Sequence, residues 1–202
     1  MLFKKLTFST DSLETKEMTR IRPAHIQELD VLHGIVRDAT RHMDEQEIPQ
    51  WDEIYPNKLI LKDDIEKQQI HVIETEGRVA GLIVINEDQS PEYADVPWKY
   101  SGRVLVIHRL TIDPTYQRRG LATRLMDFGE EIAATYKYDC IRLDAFTRNP
   151  AAFTLYDNRG YRRAGMVRFR KGEFFCYEKK INAETAIKSS NTPAHRITDK
   201  RK

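Results

Sequence analysis

Gln117-Arg118-Arg119-Gly120-Leu121-Ala122 joins an apolar, β-branched run at 104–112 to a run of helical periodicity that starts near Gly120. A strand that turns into a helix through such a segment is built to hold an anion. Backbone N–H groups at a helix start have no intrahelical partner, and the helix dipole adds partial positive charge there. Gly120 has no Cβ, so a phosphate can come close to the backbone. Arg118 and Arg119 add charge and donors. The other reading is a basic, glycine-capped turn that holds nothing. Two further phosphate-binding patterns, G-x-x-x-x-G-K-[ST] and G-x-G-x-x-G, do not occur in the chain.

A second block lies downstream. The strand-like run 139–146 leads into Asn149-Pro150-Ala151-Ala152-Phe153-Thr154-Leu155-Tyr156-Asp157-Asn158-Arg159-Gly160-Tyr161. Together the two blocks resemble the GNAT superfamily of acyl-CoA N-acyltransferases. The first carries Q-x-x-G-x-A, as in its motif A. The second carries N-x-x-A-x-x-L-Y-x-x-x-G-[FY], as in its motif B. The motifs span roughly 104–165, in the family's order and spacing.

The resemblance implies acetyl transfer from acetyl-CoA to a primary amine, by direct transfer in a ternary complex. It implies cofactor contacts from Leu110, Thr111 and Ile112, from Gln117, Arg118, Arg119, Gly120, Leu121, Ala122 and Thr123, and from Asn149 and Phe153. An alkyl ammonium has a pKa near 10.4, so the acceptor starts protonated. Its proton needs a destination, and the leaving thiolate, of pKa about 8.5, needs a donor. Tyr156 occupies the family's motif-B tyrosine position and is the candidate acid; a phenol is protonated at neutral pH. The alternative is a packing tyrosine.

His108 is the candidate base, with an ordinary pKa near 6.5; the alternative is a hydrogen-bonded core histidine. Strand alternation places it on the face of Val106 and Leu110. Arg109 then alternates to the other face and needs a partner, for which Asp144 on the next strand is the candidate. Asp144 could instead reach the acceptor amine. Asn149 suits a helix N-cap, alone or together with its cofactor contact. The loop with Trp51, Asp52, Glu53 and Tyr55 forms part of the acceptor site in relatives, and an aromatic beside carboxylates suits an organic cation. For Trp51 the alternative is a buried residue that pins the loop.

These residues need elements to hold them. Residues 17–22 read as a strand, and Pro23 as the start of a helix whose Leu29, Leu32, Val36, Ala39 and Met43 keep helical spacing. A loop at 48–56 and a helix at 57–67 follow. Runs 69–75 and 78–87 form a hairpin about Glu76-Gly77. Residues 88–102 are a polar insert. After the strand 103–112, the motif-A helix buries Leu121, Leu125, Phe128 and Ile132. The strand 139–146, the helix 150–159 and two strands turning at Lys171-Gly172 complete the order β-α-α-β-β-β-α-β-α-β-β. This is α/β (α+β) organisation, and the resemblance implies a mixed sheet of about seven strands with helices on both faces. It also implies that strands 103–112 and 139–146 splay apart at one end.

The 202 residues suit one domain, at 17–181, with a polar extension at 1–16 and a polar, basic, disordered tail at 182–202. A net charge of +2 does not suggest a nucleic-acid binder. Two cysteines, Cys140 and Cys176, make no disulfide framework, and no apolar run reaches transmembrane length. The expected location is cytoplasmic, with no membrane partner. No metal is expected, because no Cys/His cluster has ligand spacing. The expected acceptor is a small-molecule amine. A protein N-terminus or lysine is the enzymatic alternative, and a non-catalytic CoA-binding module is the other class. A homodimer remains open.

Overall fold

The computed structural model describes residues 19–181; the expected extension at 1–16 and tail at 182–202 lie outside the described residues. The elements are β1 (Arg20–Pro23), α1 (Leu29–Glu45), α2 (Lys58–Glu66), β2 (Ile70–Thr75), β3 (Arg78–Asn86), β4 (Val104–Ile112), α3 (Leu121–Thr135), β5 (Cys140–Phe146), α4 (Pro150–Asn158), β6 (Arg162–Phe169) and β7 (Gly172–Lys180). Their order is the expected one. Pro23 does not start α1. It ends β1 opposite His71, and a short 3-10 turn at Ile26–Glu28 intervenes before Leu29. β1 is an edge strand, where a residue without an N–H is tolerated.

The seven strands form one mixed sheet in the order β1-β2-β3-β4-β5-β7-β6. On one face, α1 and α2 bury Leu32, Val36, Leu61 and Ile65 against Val72, Leu82 and Val84. On the other, α3 and α4 bury Leu121, Leu125, Met126 and Tyr156 against Ile83, Ile107 and Ile141. Phe128 and Ile132 of α3 are only partly buried, at the margin of that cluster.

Two irregularities of β4 shape the site. First, its parallel pairing with β5 covers only Val104, Leu105 and Val106, opposite Cys140, Ile141 and Arg142. Beyond them β5 continues on β7 alone, so β4 and β5 splay as expected. Second, β4 bulges against β3: Leu82 pairs with Thr111, but Val84 pairs with His108. Arg109 absorbs the extra residue at φ +50, a left-handed conformation that non-glycine residues rarely take. Gly81 permits the close return of β4 after the bulge. A Cβ there would lie 2.5 Å from the Thr111 carbonyl oxygen.

The bulge corrects the expected alternation. His108 stays on the face of Val106, but Leu110 and Ile112 pack on the α3 face. Arg109 does not meet Asp144, which lies with Cys176 and Tyr93 on the face opposite the α3 layer. It reaches into α2, where Nε lies 3.1 Å and Nη2 3.2 Å from the two oxygens of Asp64. Asp64 is 3% exposed, and burial pushes its carboxyl up against the pull of Arg109.

This pair holds the bulge to the helical layer, and breaking it would leave a buried guanidinium without its counter-charge. Asp64→Ala should lower unfolding stability by about 3–5 kcal/mol in urea titration. The double variant Asp64→Leu/Arg109→Met should recover most of that loss. A change in Asp64→Ala below about 1 kcal/mol would show that the pair is solvated and does not anchor the bulge.

Candidate active site

A cavity of about 940 Å³ fills the splay between β4 and β5. One wall comes from the end of β4 and the start of α3: Leu110, Thr111, Ile112, Gln117, Arg118, Gly120, Leu121, Ala122 and Thr123. Asp144, Asn149, Ala152, Leu155 and Tyr156 face it from β5 and α4. Trp51, Tyr55, Asp88, Tyr93, His108, Arg109, Arg170, Lys171 and Phe174 are among the residues that line the remainder.

The 117–123 segment has the form of an anion cradle. Gly120 is the N-cap of α3 at φ +76, with no side chain capping the helix. Among the described residues, a Cβ on Gly120 would meet nothing within 4 Å, which leaves space before the first-turn N–H groups. Gln117 pins the loop to the strand end through Nε2 to the Ile112 carbonyl oxygen at 3.3 Å. Arg118 lines the cavity and makes no hydrogen bond or ion pair among the described residues. Arg119 departs from the expectation. Its guanidinium donates to Glu76 at 2.9 Å and lies 5.1 Å from the Tyr116 ring, away from the cavity wall.

From Ile107 to Ile112, β4 has no partner on its β5 side among the described residues, which leaves backbone amides available to an extended ligand. Asn149 caps α4, accepting from the Ala152 N–H at 3.1 Å, and its Nδ2 donates to Gln50 at 2.9 Å. Capping and a place on the cavity wall therefore coexist. Phe153, expected at the cofactor, is turned away. It sits edge-on to Phe175 at 6.4 Å, with the Arg163 guanidinium 5.4 Å from its ring, because the helical period that brings Ala152 and Tyr156 to the cavity rotates Phe153 out.

Tyr156 is 6% exposed and packs against Tyr161 and Tyr177 at 5.9 and 5.5 Å between ring centroids. Burial, then the nearby Asp144, raises its phenol above the ordinary value, so it stays protonated across the working range. His108 differs from expectation in its titration. Its Nε2 lies 3.0 Å from the Asn86 side-chain oxygen and 3.1 Å from the Asp88 carbonyl. Both are acceptors, so Nε2 carries the proton and only Nδ1 keeps a lone pair. Burial, followed by the charge of Arg109, pushes its pKa down to about 4. A histidine held so low is neutral but weakly basic at physiological pH.

Asp144 moves the other way. Burial pushes its carboxyl up to about 6, and a hydrogen bond from the Tyr93 hydroxyl at 2.7 Å opposes the rise. A carboxylate with this value is ionised at neutral pH and is a better proton acceptor than an ordinary one.

The expected acceptor loop is only partly at the cavity. Trp51, 8% exposed, belongs to the α1/α2 core and also lines the wall, so the pinning reading holds for it. Tyr55 lines the wall, with the Arg109 guanidinium 5.5 Å from its ring. Asp52 is not on the wall. It accepts from Arg170 at 2.6 and 2.7 Å and from the Ile54 and Tyr55 N–H groups, with Lys171 3.3 Å away. Those bonds hold its carboxyl down at about 2. Glu53 is exposed and also outside the wall. Sequence reasoning missed Tyr93 and Asp64. Tyr93 sits in the aperiodic insert, and its one signal was an aromatic bracketed by Pro91 and Pro97. Among the described residues, no group of three or more His, Cys, Asp or Glu could hold a metal ion, and no helix is long and apolar enough to cross a membrane.

Comparison with known proteins agrees with this geometry. No curated protein matches the sequence. Among solved structures, a GNAT-family acetyltransferase from Streptococcus agalactiae 2603 superposes with a TM-score of 0.71 at 24% identity, covering 81% of this chain and 95% of that one. The PaiA N-acetyltransferase of Thermoplasma acidophilum, solved in complex with coenzyme A, gives 0.62 at 19% identity, covering 81% and 99%. The ribosomal-protein-S18-alanine N-acetyltransferase of Escherichia coli gives 0.60 at 17%, covering 88% and 100%. The sequence itself matches the profile of the Acetyltransferase (GNAT) family over residues 35–161. With that match spanning more than half of its length, the chain belongs to the GNAT family of acetyltransferases.

Proposed function

We propose that this protein transfers an acetyl group from acetyl-CoA to a small primary amine, directly, with both substrates in the cavity. One observation carries the reading. The uncapped start of α3, the unpaired edge of β4, Tyr156 and Asp144 all border a single cavity. The cradle before Gly120 and the free first-turn N–H groups fit a pyrophosphate, with Arg118 as its cationic side chain. The bare edge of β4 and Asn149 fit an amide-bearing arm. Bound acetyl-CoA would supply an activated thioester.

The residues of the chain then divide the proton work. Asp144 accepts the proton of the acceptor ammonium. Tyr156 faces the departing sulfur with its hydroxyl. Its raised pKa makes full transfer to a thiolate of about 8.5 uphill, so its main contribution is a hydrogen bond that strengthens as charge develops. His108, neutral, serves as a polar wall residue through Nδ1. A small acceptor suits the amine side because insert 88–102 walls it with Asp88, Gln89, Ser90 and Tyr93, while Tyr93 and Val96 pack with Phe146 and Phe174. A CoA-release assay over a panel of amines tests the function. Release with no amine in a broad panel would point to a protein acceptor, or to a binding module that does not turn over.

Three expectations follow from the roles assigned. Coenzyme A should raise the melting temperature by mass action. Gly120→Glu, which sets a charged side chain before the cradle, should abolish that shift with the fold retained; an unchanged shift would move the anion site elsewhere. Tyr156→Phe should lower kcat about ten- to a thousand-fold while the CoA shift stays put. Wild-type turnover in that variant would leave Tyr156 a packing residue.

The third concerns pH. With Asp144 as acceptor, kcat/KM should rise with pH through about 6, as the carboxyl ionises, and the limb of the alkyl ammonium should lie well above it. His108→Gln should keep the lower limb, because burial holds the His108 pKa well below it, at about 4. Asp144→Asn should erase it. A limb near 6 that survives in Asp144→Asn would remove Asp144 from the reaction.

A further inference from the structure

Insert 88–102 belongs to neither sequence motif, yet it supplies the hydrogen-bond partner of Asp144. Tyr93 is 3% exposed, and its hydroxyl donates to Asp144 Oδ2 at 2.7 Å. Apart from a 3-10 turn at Pro91–Asp95, the insert has no regular structure, so other contacts must fix it. The fully buried Glu178 of β7 accepts the N–H groups of Lys99 at 2.9 Å and Tyr100 at 3.0 Å, and pairs with Arg162. Arg142 of β5 donates to the Tyr100 carbonyl at 2.8 Å and lies 4.3 Å from the Trp98 ring. Trp98 in turn donates Nε1–H to the Tyr93 carbonyl at 2.9 Å, and the two rings tilt together at 5.2 Å. Each bond locks the backbone on one side of Tyr93 and leaves its hydroxyl aimed at the cavity wall.

The charges around Asp144 give that hydroxyl a role beyond packing. Facing it are Tyr93 from the insert, Tyr156 from α4, Cys176 opposite it on β7, and Tyr55 from the 48–56 loop. Across the splay stand His108, which is neutral, and Arg109, whose charge is taken by Asp64; Arg170 and Lys171 on the same cavity wall pair with Asp52, and Asp88 lies beside His108. Among the described residues, Asp144 has no cationic partner, and the Tyr93 hydroxyl is its hydrogen-bond donor. A buried carboxylate without a counter-charge ionises only as far as hydrogen bonds support it.

We propose that Tyr93 is a positioning residue: its hydroxyl orients the Asp144 carboxylate toward the acceptor amine and sustains it in the proton-accepting form. The proposal rests on the assignment of Asp144 as proton acceptor. It makes the insert part of the catalytic apparatus, not merely a wall.

Tyr93→Phe keeps the ring and removes the donor. Two measurements on the full chain test it: the pH titration of the Asp144 carboxyl carbon by NMR, and kcat/KM against pH. The titration midpoint should climb by about one unit, and the kinetic limb should climb with it. Activity should then fall about twofold at pH 7 and up to about tenfold well below pH 6, and the deficit should close as the pH becomes alkaline. A fall of equal size at every pH, with the midpoint unmoved, would make Tyr93 a structural residue and overturn the proposal. A midpoint that climbs without the kinetic limb would uphold the grip of Tyr93 on the carboxylate and instead overturn the role given to Asp144. Site-specific 3-fluorotyrosine at position 93 gives a near-isosteric control that does not depend on Tyr93→Phe folding. As a stronger donor it should move the midpoint down, and a midpoint unmoved would again overturn the proposal.

Discussion

Everything at this site depends on β4 leaving its neighbour. Parallel pairing holds β4 to β5 for three residues and then stops. A sheet interior normally satisfies each backbone N–H and C=O across the ladder, and unpaired ones are costly unless another partner arrives. Here the unpaired edge from Ile107 onward borders a cavity, so its backbone groups can be met by solvent or ligand. The bulge at Arg109, on the β3 side, follows directly after the parting. It shifts the strand by one residue, sends Leu110 and Ile112 to the α3 face, and leaves His108 and Arg109 on the other side. That geometry is held from three directions: the Asp64 ion pair, the Thr111 hydroxyl on the Arg109 carbonyl at 2.9 Å, and the room left by Gly81.

The cavity also sets two titrations against each other. Burial favours the neutral form of any group, so it raises the acid Asp144 and lowers the base His108. Linkage gives these shifts opposite slopes. Asp144, raised to about 6, contributes stability that is present below its unfolded value and is lost as pH rises through about 6. His108, lowered to about 4, contributes stability that is present above its unfolded value and is lost as pH falls through about 4. The two windows overlap between about 4 and 6, where the gain of one offsets the loss of the other. Above that range Asp144 is ionised with no cationic partner among the described residues, and the fold carries the cost in the pH range where the carboxylate is proposed to work. Such a cost is common where a site must keep a group more basic than water would leave it.

The parts of the fold legible in the sequence are those with a period or a fixed motif. Leu32, Val36 and Ala39 gave α1 its buried face, and Glu76-Gly77 gave the β2–β3 turn, because spacing and turn chemistry are local. Gly120 and Asn149 were legible as helix starts for the same reason. The bulge was not legible. Nothing in Ile107-His108-Arg109-Leu110 marks it, and one extra residue reverses every alternation argument beyond it. The expected Arg109–Asp144 pair failed because Asp64 of α2 takes the Arg109 guanidinium. Asp52 and Glu53 lie off the cavity wall for another reason. A carboxylate next to an aromatic in sequence need not face the same space, and Asp52 is drawn off by Arg170, 118 positions away.

The reach of the sequence ends where the amine side begins, and the reason is physical. The cofactor side is built from backbone: helix-start N–H groups and an open strand edge, which need glycine and a cap at fixed spacing and so leave a motif. The amine side is built from side chains that meet only in three dimensions: Tyr55 from a loop, Tyr93 from an insert, Asp144 from a strand, Phe174 from β7. Their meeting is organised by Glu178 and Arg142, two buried charges that no periodicity marks, since each sits in an otherwise ordinary strand. Cofactor recognition of this kind can be conveyed by a short pattern, whereas acceptor recognition depends on how an aperiodic segment is held down. The contacts that fasten insert 88–102 therefore bear on specificity as directly as the residues that would touch the amine.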